Sequence, residues 1–230
     1  MAIVVNVAQL TAQTVGLFVV FAVTLFLPAG TIRWPAAWAF LALFFGFVIA
    51  LTAWLLRFNP GLLVERMTGV GKSDQKLWDK VFLALTAVAF LAWLALMGLD
   101  AVRFQWSQMP SWLQVAGALV LLTSFWLLFI TFRENTFLSP AVRVQKERAQ
   151  TVVSTGPYRY VRHPMYAGFV LFACGTPLLL GSWYGVMGGL FLSAMVARRA
   201  VLEERVLRAE LAGYGAYMTQ VRYRLVPRLW

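Results

Sequence analysis

The chain has 230 residues, of which 61% are hydrophobic and only 13% are charged. Soluble domains carry about 25% charged residues, so this composition excludes an ordinary soluble domain and indicates an integral membrane protein. We attribute the formal net charge of +11 to positive charge that meets anionic lipid headgroups, and expect membrane lipids rather than nucleic acid as partners.

Long uncharged runs predict the membrane segments in chain order. Lys, Arg, Asp and Glu are absent from residues 1–32, 34–56, 81–99, 104–132 and 163–197. A spanning helix needs about 20 apolar residues, so each run can hold at least one. The last run is too long for one span, and Gly175, Pro177 and Gly181 divide it into a helical hairpin. We expect an all-α, polytopic transmembrane protein with six segments, near residues 10–28, 35–56, 81–99, 112–132, 165–180 and 183–202.

Eighteen of the 20 Lys and Arg residues fall in three segments, which we call the basic segments: residues 57–80, 133–162 and 198–230. Six crossings bring all three to one side of the membrane, and the positive-inside rule makes that side cytoplasmic. Both termini are then predicted to be cytoplasmic. We divide the chain into transmembrane helices over residues 1–132 and a region over residues 133–230 that carries the candidate site.

The most informative stretch is Gly-Pro-Tyr-Arg-Tyr-Val-Arg-His-Pro-Met-Tyr-Ala-Gly, residues 156–168, which we call the histidine motif. It places the only histidine, His163, at the mouth of the longest uncharged run. Polar groups are costly beside a membrane segment, so this cluster indicates a site. Pro164 suits the first turn of a helix, where free backbone N–H groups can bind a carboxylate. The faces of Tyr158 and Tyr166 can stabilise a cation.

Other kinds of chemistry have less support. One histidine and one cysteine, Cys174, do not make the usual nitrogen and sulfur ligand set, so no metal site is predicted. No nucleophile motif accompanies His163, so a hydrolase is not indicated. Taken alone, His163 also fits a packed residue whose hydrogen bonds are made by the backbone at a helix start.

Together with Glu203-Glu204 and the ending Tyr223-Arg224-Leu225-Val226-Pro227, the histidine motif resembles the isoprenylcysteine carboxyl methyltransferase family. That family comprises integral-membrane enzymes that use S-adenosylmethionine. The resemblance extends from about Asn135 to the C-terminus. It implies a methyltransferase region over residues 133–230, with a cofactor loop, a helical hairpin and a cytoplasmic tail. It also implies methyl transfer to a lipophilic or lipidated acceptor, namely a carboxylate such as that of isoprenylcysteine.

The resemblance assigns roles to individual residues. Arg199 would be catalytic and face the methyl acceptor, with Arg198 as the alternative one residue away. Asn135 is a weaker candidate, since it fits a helix-end cap equally well. The implied cofactor-binding residues are Gln145, Gln150, Val152, Val153, Tyr158, His163, Pro164, Met165, Tyr166 and Glu204.

Three other functions fit the same sequence. A phospholipid N-methyltransferase would keep the cofactor and take an amine as acceptor. A sterol-reductase-like enzyme, which shares an Arg-His-Pro-like turn and a similar ending, would bind NADPH instead. The third is a non-enzymatic scaffold or transporter. Against a transporter, no ionisable residue lies within the uncharged spans, where ion relays usually sit.

Overall fold

The regular structure is helical throughout the part of the chain that the computed structural model describes, which is residues 6–68, 71 and 75–230. In chain order, the helices are α1 (Val7–Ala29), α2 (Pro35–Phe58), α3 (Pro60–Thr68), α4 (Leu77–Gly98), α5 (Ser111–Glu134), α6 (Pro164–Leu180), α7 (Trp183–Glu210) and α8 (Tyr214–Gln220). A π-helical turn, Leu99–Arg103, continues α4. Two 3₁₀ turns, Lys146–Arg148 and Gly156–Arg159, lie between α5 and α6.

The six predicted membrane segments correspond to α1, α2, α4, α5, α6 and α7. Five of them are long and apolar enough to cross a membrane, at 23 to 28 residues each when the π turn is counted with α4. Helix α6 has 17 residues, or about 26 Å against a hydrocarbon core of about 30 Å, so it is the short arm of the predicted hairpin. These helices confirm the all-α, polytopic class, while the orientation of the termini stays a prediction.

The hairpin and its last helix differ from the prediction in detail. Only Gly181 ends α6, with a left-handed φ of 81°, while Gly175 and Pro177 lie inside the helix. Ser182 then caps α7, because its side chain accepts a hydrogen bond from the backbone amide of Gly185. Helix α7 continues to residue 210 rather than the predicted 202, because its charged last turns suit a helix that leaves the membrane.

Part of the first basic segment is the helix α3, which is not among the segments expected from the sequence. Asn59 caps α3, since its Oδ1 accepts a hydrogen bond from the amide of Leu62. Leu62 and Leu63 are buried against side chains of α2, α5 and the segment that follows α5, so α3 packs onto the bundle. Residues 69–70 and 72–74, including Lys72, lie outside the described residues.

Close packing of α5 on α6 positions the histidine motif. At Gly175, an added Cβ would lie 2.8 Å from the backbone nitrogen of Leu121 and 2.9 Å from the carbonyl oxygen of Gly117. Small residues at such contacts let membrane helices approach closely. Further along α6, Phe172 packs among the aromatic rings of α2, α4 and α5. Helix α6, whose first turn belongs to the histidine motif, is therefore packed against three neighbouring helices.

Candidate functional site

The histidine motif begins with the 3₁₀ turn Gly156–Arg159 and continues into the first turns of α6. Gly156 has a φ of 55°, and a Cβ there would lie 2.8 Å from a carboxylate oxygen on α5. In this turn the buried Tyr158 accepts a 2.8 Å hydrogen bond from Asn135 Nδ2 on its hydroxyl and a 2.7 Å bond from the Tyr217 hydroxyl on its carbonyl. Burial raises the pKa of the Tyr158 hydroxyl, so it stays protonated at neutral pH and can donate to a ligand.

Glu204 on α7 lies at the centre of a buried ion-pair cluster. Its Oε1 accepts a 2.6 Å hydrogen bond from Arg162 Nε and lies 3.3 Å from His163 Nε2, while Oε2 accepts a 2.8 Å bond from Arg224 Nε. The backbone amides of Arg162 and His163 donate to the carbonyls of Tyr223 and Arg224. The ending that the sequence singles out therefore packs on the histidine motif, and both Glu204 oxygens have protein partners.

A second chain of polar groups runs from α7 through α6 to α4. The Tyr166 hydroxyl donates a 2.5 Å hydrogen bond to Glu203 Oε2 and accepts a 2.8 Å bond from Arg199 Nη1. Arg199 Nε in turn donates at 2.9 Å to Oδ1 of Asp79, which is fully buried. Arg199 is buried and Arg198 is exposed. Of the two candidate arginines, Arg199 is the one that faces the interior.

These groups surround a cavity between the α5–α6 connection and the helices α7 and α8, which we call the polar cavity. Its lining brings together seven of the residues implied by the family resemblance, namely Gln150, Val152, Val153, Tyr158, His163, Met165 and Tyr166. Asn135 and Glu203 line it as well. The Tyr214 hydroxyl, also in the lining, is buried and has no hydrogen-bond partner among the described residues. A buried hydroxyl without a partner is costly, which indicates a place for a polar ligand.

Three residues of the implied set are not in that lining, and each shapes the wall instead. Gln145 is fully buried, where its Nε2 donates at 2.6 Å to the Phe137 carbonyl and its backbone amide donates at 2.8 Å to Gln150 Oε1. Pro164 is buried at the first position of α6. Glu204 makes the ion pairs described above, and its neighbour Glu203 is the carboxylate in the cavity lining.

A second cavity, which we call the apolar cavity, is lined mainly by aromatic and aliphatic side chains of α2, α4, α5 and α6. The charged residues in its lining are Arg66 on α3 and Arg199 on α7. Met165 and Tyr166 line both cavities. The polar and apolar cavities therefore meet at the first turn of α6.

The residues of this site that the sequence does not single out include Tyr214 and three residues from the first basic segment. Asp79 holds Arg199, Arg66 lines the apolar cavity, and Glu65 pairs with Arg143 at 2.9 Å. Asp79 and Glu65 could have been identified because acidic residues are scarce in this chain, which has 9 of them against 20 basic residues. An acid at the edge of an uncharged run, such as Asp79, suggests a buried pair.

Two comparisons with known proteins identify methyltransferases. Residues 112–212 match a family described as phospholipid methyltransferase. A stretch of 70 residues is 36% identical to the protein-S-isoprenylcysteine O-methyltransferase of Schizosaccharomyces pombe. That stretch covers 30% of this chain and 30% of the length of the yeast protein. Both matches confirm the family resemblance that the histidine motif indicates.

Proposed function

We propose that this protein is an integral-membrane methyltransferase that transfers a methyl group from S-adenosylmethionine to a lipophilic acceptor. The observation that carries the proposal is the junction of the polar and apolar cavities at Met165 and Tyr166. Two ligands of opposite solubility, a water-soluble cofactor and a lipid-borne acceptor, can meet at such a junction. The two matches favour methyl transfer over the hydride transfer of a sterol-reductase-like enzyme.

The lining of the polar cavity suits S-adenosylmethionine. The amides of Asn135 and Gln150 and the unpartnered Tyr214 hydroxyl offer hydrogen bonds to its adenine, ribose and amino-acid groups. The Glu203 carboxylate can accept from its amine, and the Tyr166 ring face suits its positive charge. When bound, S-adenosylmethionine supplies an electrophilic methyl group on its sulfonium.

Alignment and exclusion of water are the contributions of the protein's own residues. Asp79 and Tyr166 hold the buried Arg199 guanidinium in place before an acceptor arrives. A carboxylate acceptor is already anionic at neutral pH, so it needs no general base. Positioning of this kind can supply about 7–11 kcal/mol of the barrier. Burial strengthens the attraction between Arg199 and an anionic acceptor.

The proposed acceptor class is a lipophilic carboxylate, such as the isoprenylcysteine in the name of the yeast relative. A phospholipid N-methyltransferase is the second candidate, because the matched family is described by that substrate class. The two acceptors differ in the charge of their head groups. Arg199 attracts a carboxylate and repels a protonated amine. With 18 of 20 basic residues in the basic segments, we place both termini and the polar cavity on the cytoplasmic side.

Calorimetry on the detergent-purified protein tests the cofactor. We expect S-adenosylmethionine to bind with micromolar affinity, about −8 kcal/mol, and NADPH to bind far more weakly. Methyl transfer from labelled S-adenosylmethionine is then compared for N-acetyl-S-farnesylcysteine and phosphatidylethanolamine. Binding of NADPH alone would support the reductase, and binding of neither cofactor would support a non-enzymatic protein.

A pair of neighbouring arginine variants tests the assigned roles. Arg199→Ala should leave the affinity for S-adenosylmethionine near wild type and lower methyl transfer by about 100-fold or more, the scale of one lost electrostatic group. Arg199→Lys should recover only part of the rate, because an ammonium does not reproduce the guanidinium fork. Arg198→Ala is the matched control, since Arg198 is exposed. Loss of cofactor binding in Arg199→Ala would contradict the division of roles.

A further inference from the structure

Arg66 is the second guanidinium of the apolar cavity and lies outside residues 112–212, which match the phospholipid methyltransferase family. Its Nη1 donates a 3.1 Å hydrogen bond to the Leu138 carbonyl, and its Cζ lies 4.7 Å from the centre of the Phe132 ring. Burial, and secondarily the charge of Arg199, lower the pKa of Arg66 to about 10. Arg66 therefore remains positively charged at neutral pH in a largely apolar environment.

The two guanidiniums differ in how many N–H groups they have available. A guanidinium has five N–H groups. Arg199 uses its groups on Asp79, Tyr166 and the Pro140 carbonyl, through Nε, Nη1 and Nη2. Arg66 uses only Nη1, on one carbonyl, and no carboxylate pairs with it among the described residues. Most of the hydrogen-bond donors that can face a ligand in the apolar cavity therefore belong to Arg66.

The rest of the apolar cavity indicates what kind of ligand these donors would meet. No Asp or Glu of the described residues lines it, and most of its wall is Phe, Leu, Val and Met. Thr86 on α4 lines the cavity as well, and its buried hydroxyl has no hydrogen-bond partner in the described chain. Thr86 follows Asp79 by seven residues, about 10 Å along the helix. The cavity thus offers two cations at one end, a free hydroxyl further along, and apolar walls.

We propose that Arg66 is a specificity-determining residue that, with Arg199, binds the head group of the acceptor. The head group is a carboxylate, its apolar tail occupies the cavity, and a polar group between them reaches Thr86. Two like charges close together are unfavourable alone, and an anion between them removes that repulsion. A lipid with a protonated amine adds a third positive charge and is selected against. This inference rests on the proposed function and assigns its substrate selectivity to α3.

The test compares two ligands that share one apolar tail and differ in the charge of the head group. N-acetyl-S-farnesylcysteine and its methyl ester share the same apolar tail, and only the acid is anionic. Calorimetry on the detergent-purified wild type should show about 10-fold or tighter binding of the acid, the scale of a hydrogen bond to a charged group. Arg66→Gln should remove most of that preference, and Arg66→Lys should keep part of it. In each variant, S-adenosylmethionine affinity and melting temperature report whether the fold is intact.

Arg57→Gln is the matched control. It removes the same charge from the same basic segment, but Arg57 is exposed at the end of α2 and lines neither the polar nor the apolar cavity. The Arg57→Gln variant should prefer the acid over the ester as strongly as the wild type does. Equal binding of acid and ester by the wild type, or an undiminished preference in Arg66→Gln, would overturn the inference about Arg66. Absence of S-adenosylmethionine binding by the wild type would instead contradict the proposed function.

Discussion

Replacement of Glu204 separates a structural role from a ligand-binding role. The family resemblance assigns Glu204 to the cofactor, whereas the structure surrounds its carboxylate with Arg162, His163 and Arg224. Glu204→Gln keeps the size of the side chain and removes its charge. Arg162, whose side chain is 5% exposed, then loses its only carboxylate partner among the described residues. We expect this substitution to destabilise the fold before it affects any ligand.

The magnitude follows from the burial of each partner. Removing one member of a buried ion pair costs about 3–5 kcal/mol, because the other charge is left uncompensated. The Arg224 side chain is 30% exposed, so its pair with Glu204 adds less than about 1 kcal/mol. For a chain of this length, each kcal/mol lowers the melting temperature by about 2–4 °C. Glu204→Gln should therefore melt roughly 6–20 °C below wild type.

The assay is thermal unfolding of the detergent-purified protein, with calorimetry of S-adenosylmethionine binding well below the melting temperature. Glu210→Gln is the matched control, since it is the same substitution on the same helix. The pair of Glu210 with Lys76 is more than a third exposed on both sides, so its loss should change the melting temperature by no more than about 4 °C. A Glu204→Gln protein that melts like wild type but no longer binds S-adenosylmethionine would refute this reasoning.

Three further predictions concern the site, the packing and the topology. Tyr166→Phe keeps the ring but removes the hydroxyl between Glu203 and Arg199. We therefore expect kcat to fall about 10-fold or more while the melting temperature stays that of the wild type. Gly175→Ala should cost about 1–3 kcal/mol in a melting assay, because its Cβ meets α5 backbone, whereas Gly46→Ala, with open space around it, should not destabilise. After Cys174→Ala, single cysteines in the three basic segments should be labelled from one common side, and labelling from opposite sides would contradict the predicted topology.

The helices are the part of the fold that the sequence predicts best. Uncharged runs of about 20 residues have few alternatives to a membrane helix, because every backbone polar group must be paired within the bilayer. Helix α3 is missed for the opposite reason, since a nine-residue helix in a charged segment has no comparable signal. It forms because Leu62 and Leu63 are buried by α2, α5 and the segment that follows α5. Such tertiary contacts are not visible in local sequence.

Within the site, two adjacent residues of α7 show the same limit of prediction from local sequence. Glu203 and Glu204 point about 100° apart around α7, so a shift of one position along the helix decides which carboxylate lines the polar cavity. Five residues of the histidine motif line the polar cavity and lie close together in sequence, namely Tyr158, Arg162, His163, Met165 and Tyr166. The face that α7 turns toward the cavity depends on its contacts with Tyr166 and with the C-terminal segment, and such contacts are not visible in the sequence of α7.

The buried pairs that hold the site also connect its two regions. Arg199 reaches Asp79 across 120 residues of sequence, and Arg143 reaches Glu65 across 78. The polar cavity is lined by residues 135–217, whereas much of the apolar cavity wall belongs to α2, α3 and α4. On the proposed function, recognition of the acceptor could therefore change through substitutions in the first 100 residues without altering the wall of the polar cavity. One chain of hydrogen bonds, from Asp79 through Arg199 to Tyr166, connects the walls of the two cavities.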